Sequence, residues 1–144
     1  MKKNLLVIFS MVCFLSGCAG LKEAAKGFAG VSTNSLEGTR KNAVKKTYNI
    51  DSYTAHKKIK DILKAREAYV YKDDPALGLI AVYVSATDTT PVGVFLTETG
   101  KNITLVEVSS PSTYGKETVS KFIFNYLDGK IGLTEGKEKA NVKK

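Results

Sequence analysis

Few residues in this 144-residue chain can do chemistry. There is one histidine, His56, alongside two cysteines, Cys13 and Cys18. Any imidazole-based acid–base step must use His56, and a Ser-His-Asp hydrolase would need it to meet one of the serines. No Gly-x-Ser-x-Gly elbow is present to support that reading. His56 falls on an apolar helical stripe, where a packed histidine with one or two hydrogen bonds is the commoner role. Asp73-Asp74 could bind a cation but reads as a surface turn, and no Asp-rich loop has calcium spacing. A basic ridge of Lys57, Lys58, Lys60 and Lys64 runs on to Arg66, with Lys41, Lys45 and Lys46 upstream. It could face anionic headgroups or an acidic partner, at ~1 kcal/mol per cation near such a surface. The plainer reading is a solvated helix face.

Tyr48, Tyr53, Tyr69, Tyr71, Tyr83, Tyr114 and Tyr126 could line a groove for an apolar ligand, although strand tyrosines more often pack in cross-strand pairs. The segments Asp88-Thr89-Thr90-Pro91 and Ser109-Ser110-Pro111-Ser112-Thr113 are polar and hydroxyl-rich. They are expected at one end of the sheet, where capping and turn formation account for them.

Position in the chain gives Cys18 its meaning. Lys2 and Lys3 precede a run from Leu5 to Leu15 that is apolar except for Ser10. A bilayer span needs ~20 apolar residues, so this run is too short to cross. Basic start, short apolar stretch and small residues follow the grammar of a secretory signal peptide over 1–17. Leu15-Ser16-Gly17-Cys18 resembles the lipobox of bacterial lipoproteins. That resemblance, which covers about the first eighteen residues, implies a diacylglycerol thioether and an N-acyl chain on Cys18, with cleavage between Gly17 and Cys18. Each buried methylene contributes ~0.8 kcal/mol, and one myristoyl chain binds only marginally. Two or three chains would hold the protein without help from the folded domain.

On that reading Cys13 leaves with the signal peptide and Cys18 carries lipid, so the fold must rest on its apolar core. One histidine and no available thiol argue against a zinc site, and no other cofactor is expected. The formal charge of +8 falls to +6 once Lys2 and Lys3 are removed. The tail 129–144 holds +3 of this, 19–29 holds +1, and the body from Gly30 to Asp128 only +2. A polybasic nucleic-acid reader would concentrate charge in its folded face, so nucleic acid is set aside as a partner.

The elements follow from pattern. Residues 18–31 read as the lipidated N-terminus and tether, 32–128 as one α+β domain, and 129–144 as a basic, disordered tail. Ser32-Thr33-Asn34 is a candidate helix start, weakened by Gly38. Val44, Tyr48 and Ile50 fall on one side of a period-two ladder broken by Lys46, which predicts an edge strand. Asp51-Ser52 offers a cap for a helix to about Arg66, its stripe formed by Ala55, His56, Ile59, Ile62 and Leu63. Strands are expected over Ala68–Lys72, Gly78–Ser85, Val92–Glu98 and Ile103–Ser109. Asp73–Ala76 and Thr99–Asn102 are read as turns. Leu79–Val84 is apolar on both faces, as a strand covered on both sides would be. Ser110, Ser112 or Thr113 could cap the last helix, whose stripe is Val119, Phe122, Ile123, Tyr126 and Leu127, ending at Asp128-Gly129.

The expected architecture is α+β: a curved antiparallel sheet of about five strands in β-α-β-β-β-β-α order, with two helices packed on one face. This resembles the arrangement of TATA-binding-protein-like and helix-grip folds, an analogy that carries no activity. The functional expectation is a lipid-anchored, non-enzymatic envelope lipoprotein meeting an envelope protein partner or the membrane through Lys57, Lys58, Lys60 and Lys64. Its domain is similar to small envelope lipoprotein domains of unknown function. The alternative is a carrier of a lipid or small apolar ligand held between sheet and C-terminal helix. A hydrolase using His56 ranks third. Ala19 after the cysteine implies the outer membrane, facing the periplasm. Without an outer membrane, the same anchor implies the outer face of the cytoplasmic membrane.

Overall fold

The computed structural model describes residues 33–134. The expected signal peptide 1–17, the positions Gly17 and Cys18, the tether 18–31 and the tail from residue 135 onward lie outside the described residues.

The described elements are α1 (Thr33–Gly38), a 3₁₀ turn (Arg40–Asn42), β1 (Val44–Tyr48), α2 (Ser52–Ala65), β2 (Tyr69–Asp74), β3 (Leu79–Tyr83), β4 (Pro91–Gly100), β5 (Ile103–Ser109) and α3 (Thr113–Leu127). All strand pairs are antiparallel, in the spatial order β1-β5-β4-β3-β2. Four strands form a meander, and β1 returns to the edge beside β5, with Val44 opposite Val108 and Tyr48 opposite Thr104.

Alternation along the strands separates two apolar faces. Ile80, Val82, Val92, Val94, Leu96, Val106 and Val108 project to one face and meet Ala55, Ile59, Ile62 and Leu63 of α2 and Val119 and Ile123 of α3. Both long helices therefore pack on the same side of the sheet, as their stripes predict. Their ends follow local chemistry. The Asp51 carboxylate caps α2 by accepting from the Thr54 N–H at 2.8 Å, and Ser112 caps α3 by accepting from Gly115. Of the three candidate caps for α3, Ser112 prevails because the Ser110 hydroxyl donates to the Pro91 carbonyl at 2.7 Å.

Each of these two helices ends in a paired Schellman closure. Beyond α3, the Gly129 N–H bonds to Tyr126 and the Lys130 N–H to Asn125, with Gly129 at φ 71°. Beyond α2, Glu67 and Ala68 donate to Lys64 and Leu63. There the left-handed position is held by Glu67 at φ 59°, a conformation that penalises a side chain.

The opposite face is covered too, by the short α1. Leu36 is fully buried against Leu79, Ala81 and Phe95. Gly93 leaves the space that Leu36 and the Phe95 ring occupy, and the Ser109 hydroxyl donates to the Leu36 carbonyl at 2.9 Å. A third helix thus joins the two expected ones, because the apolar second face of β3 and β4 needs a cover of its own.

Several boundaries differ from the sequence reading: Thr99 and Gly100, read as turn, belong to β4, and β3 is shorter than expected. The Asp73-Asp74 turn is in fact the end of β2. An irregularity between Val70 and Lys72 shifts the register, and Asp73 stands opposite Ile80 on the helix-bearing face.

Candidate functional site

His56 is where the fold brings dissimilar groups together. The side chain sits on the stripe of α2 and is 10% exposed. Its Nε2 lies 2.7 Å from Oδ1 of Asp73, and the Lys60 ammonium pairs with Oδ2 of the same carboxylate. An ionised carboxylate only accepts, so Nε2 carries the proton and Nδ1 is the remaining acceptor of a neutral ring. Burial opposes the ionised form of Asp73, but hydrogen bonds from Lys60 and His56 outweigh it and hold the carboxyl below its ordinary range. An imidazole and an ammonium thus share one carboxylate.

His56 and Lys60 border a cavity of about 660 Å³ between the first turns of α2, the β2–β3 turn and the end of β4, where Ser52, Tyr53, Lys57, Pro75 and Glu98 also line it. Ser52 is one turn before His56 on the same helix, yet its hydroxyl makes no hydrogen bond to the ring among the described contacts. His56 is therefore a packed histidine with one strong partner, the geometry its place on the stripe implies.

The lysines do not form one surface. Lys45 and Lys46 project to opposite faces of β1: Lys45 reaches Oε1 of Glu107 at 2.7 Å, and Lys46 reaches Oδ1 of Asp128 at 2.6 Å. The Lys46 break in the β1 ladder is thereby explained, since Asp128 also accepts from the Tyr48 hydroxyl at 3.2 Å. Hydrogen bonds from Lys46 and Lys130 hold the Asp128 carboxyl down to about 2. Arg66 lies half-buried with its guanidinium 5.7 Å from the Phe122 ring centre. Lys57, Lys58, Lys60 and Lys64 are all exposed on α2. Lys60 is committed to Asp73, while Lys57, Lys58 and Lys64 have no ion-pair partner among the described residues.

The tyrosines divide by position. Tyr69, Tyr71 and Tyr83 stack on the sheet face away from the long helices, with centroid separations of 4.5 Å for Tyr71–Tyr83 and 6.2 Å for Tyr69–Tyr83. The Tyr71 hydroxyl is buried without a partner, and burial with the nearby Tyr83 pushes it up to about 12. Tyr48 packs on Phe124, and Tyr126 is partly buried against the core. Tyr53 and Tyr114 are exposed. Between the sheet and α3 the space is filled by Val92, Val94, Val106, Val119 and Ile123, none of them exposed.

The hydroxyl-rich segments do meet at one end of the sheet, around a cavity of about 620 Å³ lined by Thr87–Pro91, Pro111 and Ser112. Their polar atoms turn the chain: the Thr90 N–H bonds to Asp88 Oδ1 at 3.0 Å and the Asp88 N–H to Ser85 Oγ at 2.9 Å.

Sequence reasoning gave no role to Glu107, which lies in the strand expected over Ile103–Ser109. It is 3% exposed on the α1-bearing face. Arg40 donates to its Oε2 through Nε at 2.7 Å and also through Nη2, while Lys45 holds Oε1. Arg40 further covers the Phe95 ring at 4.6 Å and reaches Glu37 and Thr97. Burial opposes the Glu107 charge, but these cations outweigh it and hold the carboxyl below its usual range. The only local sign was an acid alternating with Leu105 and Ile103 on a strand whose face needed cover.

Among the described residues, no group of three or more His, Cys, Asp or Glu side chains is placed to hold a metal ion, and no helix is long and apolar enough to cross a membrane. Comparison with known proteins finds no family model, no curated protein and no solved structure that matches the chain.

Proposed function

We propose that the protein is a lipid-anchored, non-enzymatic module of a bacterial cell envelope, acting at the membrane as a partner-binding or structural domain. The observation that carries this reading is Leu15-Ser16-Gly17-Cys18 at the end of a short apolar run. In this reading the glyceride and the N-acyl chain on Cys18 supply the attachment, on the outer membrane facing the periplasm or, without one, on the outer face of the cytoplasmic membrane. The folded domain supports it through the clusters around its two buried ionisable side chains, His56 and Glu107. The polar groups of His56–Asp73–Lys60 and of Arg40–Glu107–Lys45 are engaged with one another, as groups that hold a fold together are.

The test is Cys18→Ser in a bacterial host, read by membrane fractionation and intact mass. The wild-type chain is expected to sediment with membranes and carry acyl mass, and the variant to be unprocessed or released. Equal processing and membrane association of both chains, or a wild-type mass without acyl groups, overturns the reading.

A further inference from the structure

We propose that the outward face of α2 is a seat for an anionic lipid surface, with Tyr53 as its interfacial anchor and Lys57, Lys58 and Lys64 as its headgroup contacts. The inference rests on the lipid-anchor reading and goes on to say which side of the domain meets the bilayer. At 3.6 residues per turn, Tyr53, Lys57 and Lys64 lie along one stripe, with Lys57 and Lys64 ~10 Å apart. Tyr53 is 79% exposed, the most exposed large apolar side chain among the described residues. A tyrosine with a free apolar ring and a polar tip suits the level of lipid headgroups. Lysine stems lie along apolar surface while their ammonium groups reach phosphate.

The ion-pair pattern decides which cations count. Lys60 is neutralised by Asp73, leaving Lys57, Lys58 and Lys64 against a single acid on the outward side of α2 itself, Asp61, which is exposed and unpaired among the described residues; Glu98 and Glu67 border the helix at the cavities beside Lys57 and Lys64. The face is therefore cationic where the opposite side of α2 is sealed in the core. Charge complementarity selects an anionic surface, and a lipid layer is the one that an acylated Cys18 brings close. Asp61 opposes such a contact, so its neutralisation should strengthen docking, an effect that no structural role of Asp61 produces.

The protein contains no tryptophan, so Tyr53→Trp places a single fluorescent reporter on the seat. Tyr114→Trp, at a position 59% exposed near the start of α3, places a matched one elsewhere. The full acylated chain is reconstituted in vesicles of brominated phosphatidylcholine, with or without phosphatidylglycerol. The expected result is quenching of the indole in the Tyr53→Trp chain but not in the Tyr114→Trp chain, only with phosphatidylglycerol, and lost in high salt. Lys57→Ala with Lys64→Ala should lower the docked-to-free ratio about 30-fold, and Asp61→Asn should raise it. A Tyr53→Trp chain that floats with the vesicles while its indole remains in water overturns the lipid seat and leaves the anchor intact. So does equal quenching of both reporters, or burial of the position-53 indole by an added acidic protein alone. A chain that does not float at all overturns the anchor reading itself.

Discussion

Glu107 offers the sharpest test of how the second face of the sheet is held. Its carboxylate side chain is 4% exposed, and its two oxygens are shared between Arg40, 29% exposed, and Lys45, 47% exposed. Lys45 is open enough for solvent to screen it, and exposed pairs contribute ~0–1 kcal/mol. Arg40 is the main partner, through a forked contact of charge-assisted bonds that contribute ~1.5–3 kcal/mol each. Glu107→Gln keeps one acceptor for the guanidinium but loses the charge and turns an amide toward Lys45, so a loss of about 2 kcal/mol is expected. Arg40→Ala should be worse, about 3 kcal/mol, because it leaves a buried carboxylate with one flexible cation and uncovers the Phe95 ring. Replacing both, Arg40→Met with Glu107→Met, should recover most of that loss, since no charge is then stranded. Urea denaturation followed by far-ultraviolet circular dichroism measures the wild type and all three variants. A loss in the double variant as large as the two single losses added, or an Arg40→Ala chain within about 0.5 kcal/mol of wild type, would refute the argument that Arg40 compensates Glu107.

Acid should unfold the domain through the same class of group. The Asp73, Glu107 and Asp128 carboxyls are all held low in the fold, Asp128 to about 2. Their stabilisation is complete above the unfolded value near ~4 and is lost as pH falls through the folded values. The melting temperature is therefore expected to fall steadily from pH ~4.5 toward pH ~2, and a flat profile there would contradict the ion-pair assignments. Glu67→Gly relieves the left-handed residue after α2 and should add about 1 kcal/mol of stability, read as a higher melting temperature. Gly78→Ala should do the reverse, with a loss of about 3 kcal/mol or more. Gly78 has φ +60°, and an added Cβ would lie 2.2 Å from the Leu96 carbonyl oxygen. Retained stability in the Gly78→Ala chain would mean that the β2–β3 turn yields more readily than the geometry implies.

What the sequence disclosed was whatever a short window decides. Asp51 before Ala55, His56, Ile59, Ile62 and Leu63 specifies both the start and the buried side of α2, and both emerge in the fold. Gly129 after Leu127 marks the end of α3 for the same reason, because glycine alone enters the left-handed region without penalty. Leu79–Val84, apolar on both faces, pointed to cover on two sides, but nothing local named Leu36 as the second cover. Arg40 and Glu107 lie 67 positions apart, and no periodicity links residues at that separation. Asp73 resembled a turn because Asp74 and Pro75 follow it, and only the register shift in β2 turns it toward His56. Lys60 looked like part of a uniform ridge until that shift supplied its carboxylate.

The place of β1 has a consequence for how the chain acquires its shape. Strands β2 through β5 each pair with a neighbour reached by a short turn, whereas Val44–Tyr48 can pair only with a strand that follows about sixty residues later. Pairings of such large sequence separation slow the search for the native topology. A nascent chain ending before Ile103 contains most of the meander but lacks the strand that pairs with its own first strand. The last seam to close is then the one joining the beginning of the domain to its final strand, and folding is complete only after β5 has been synthesised.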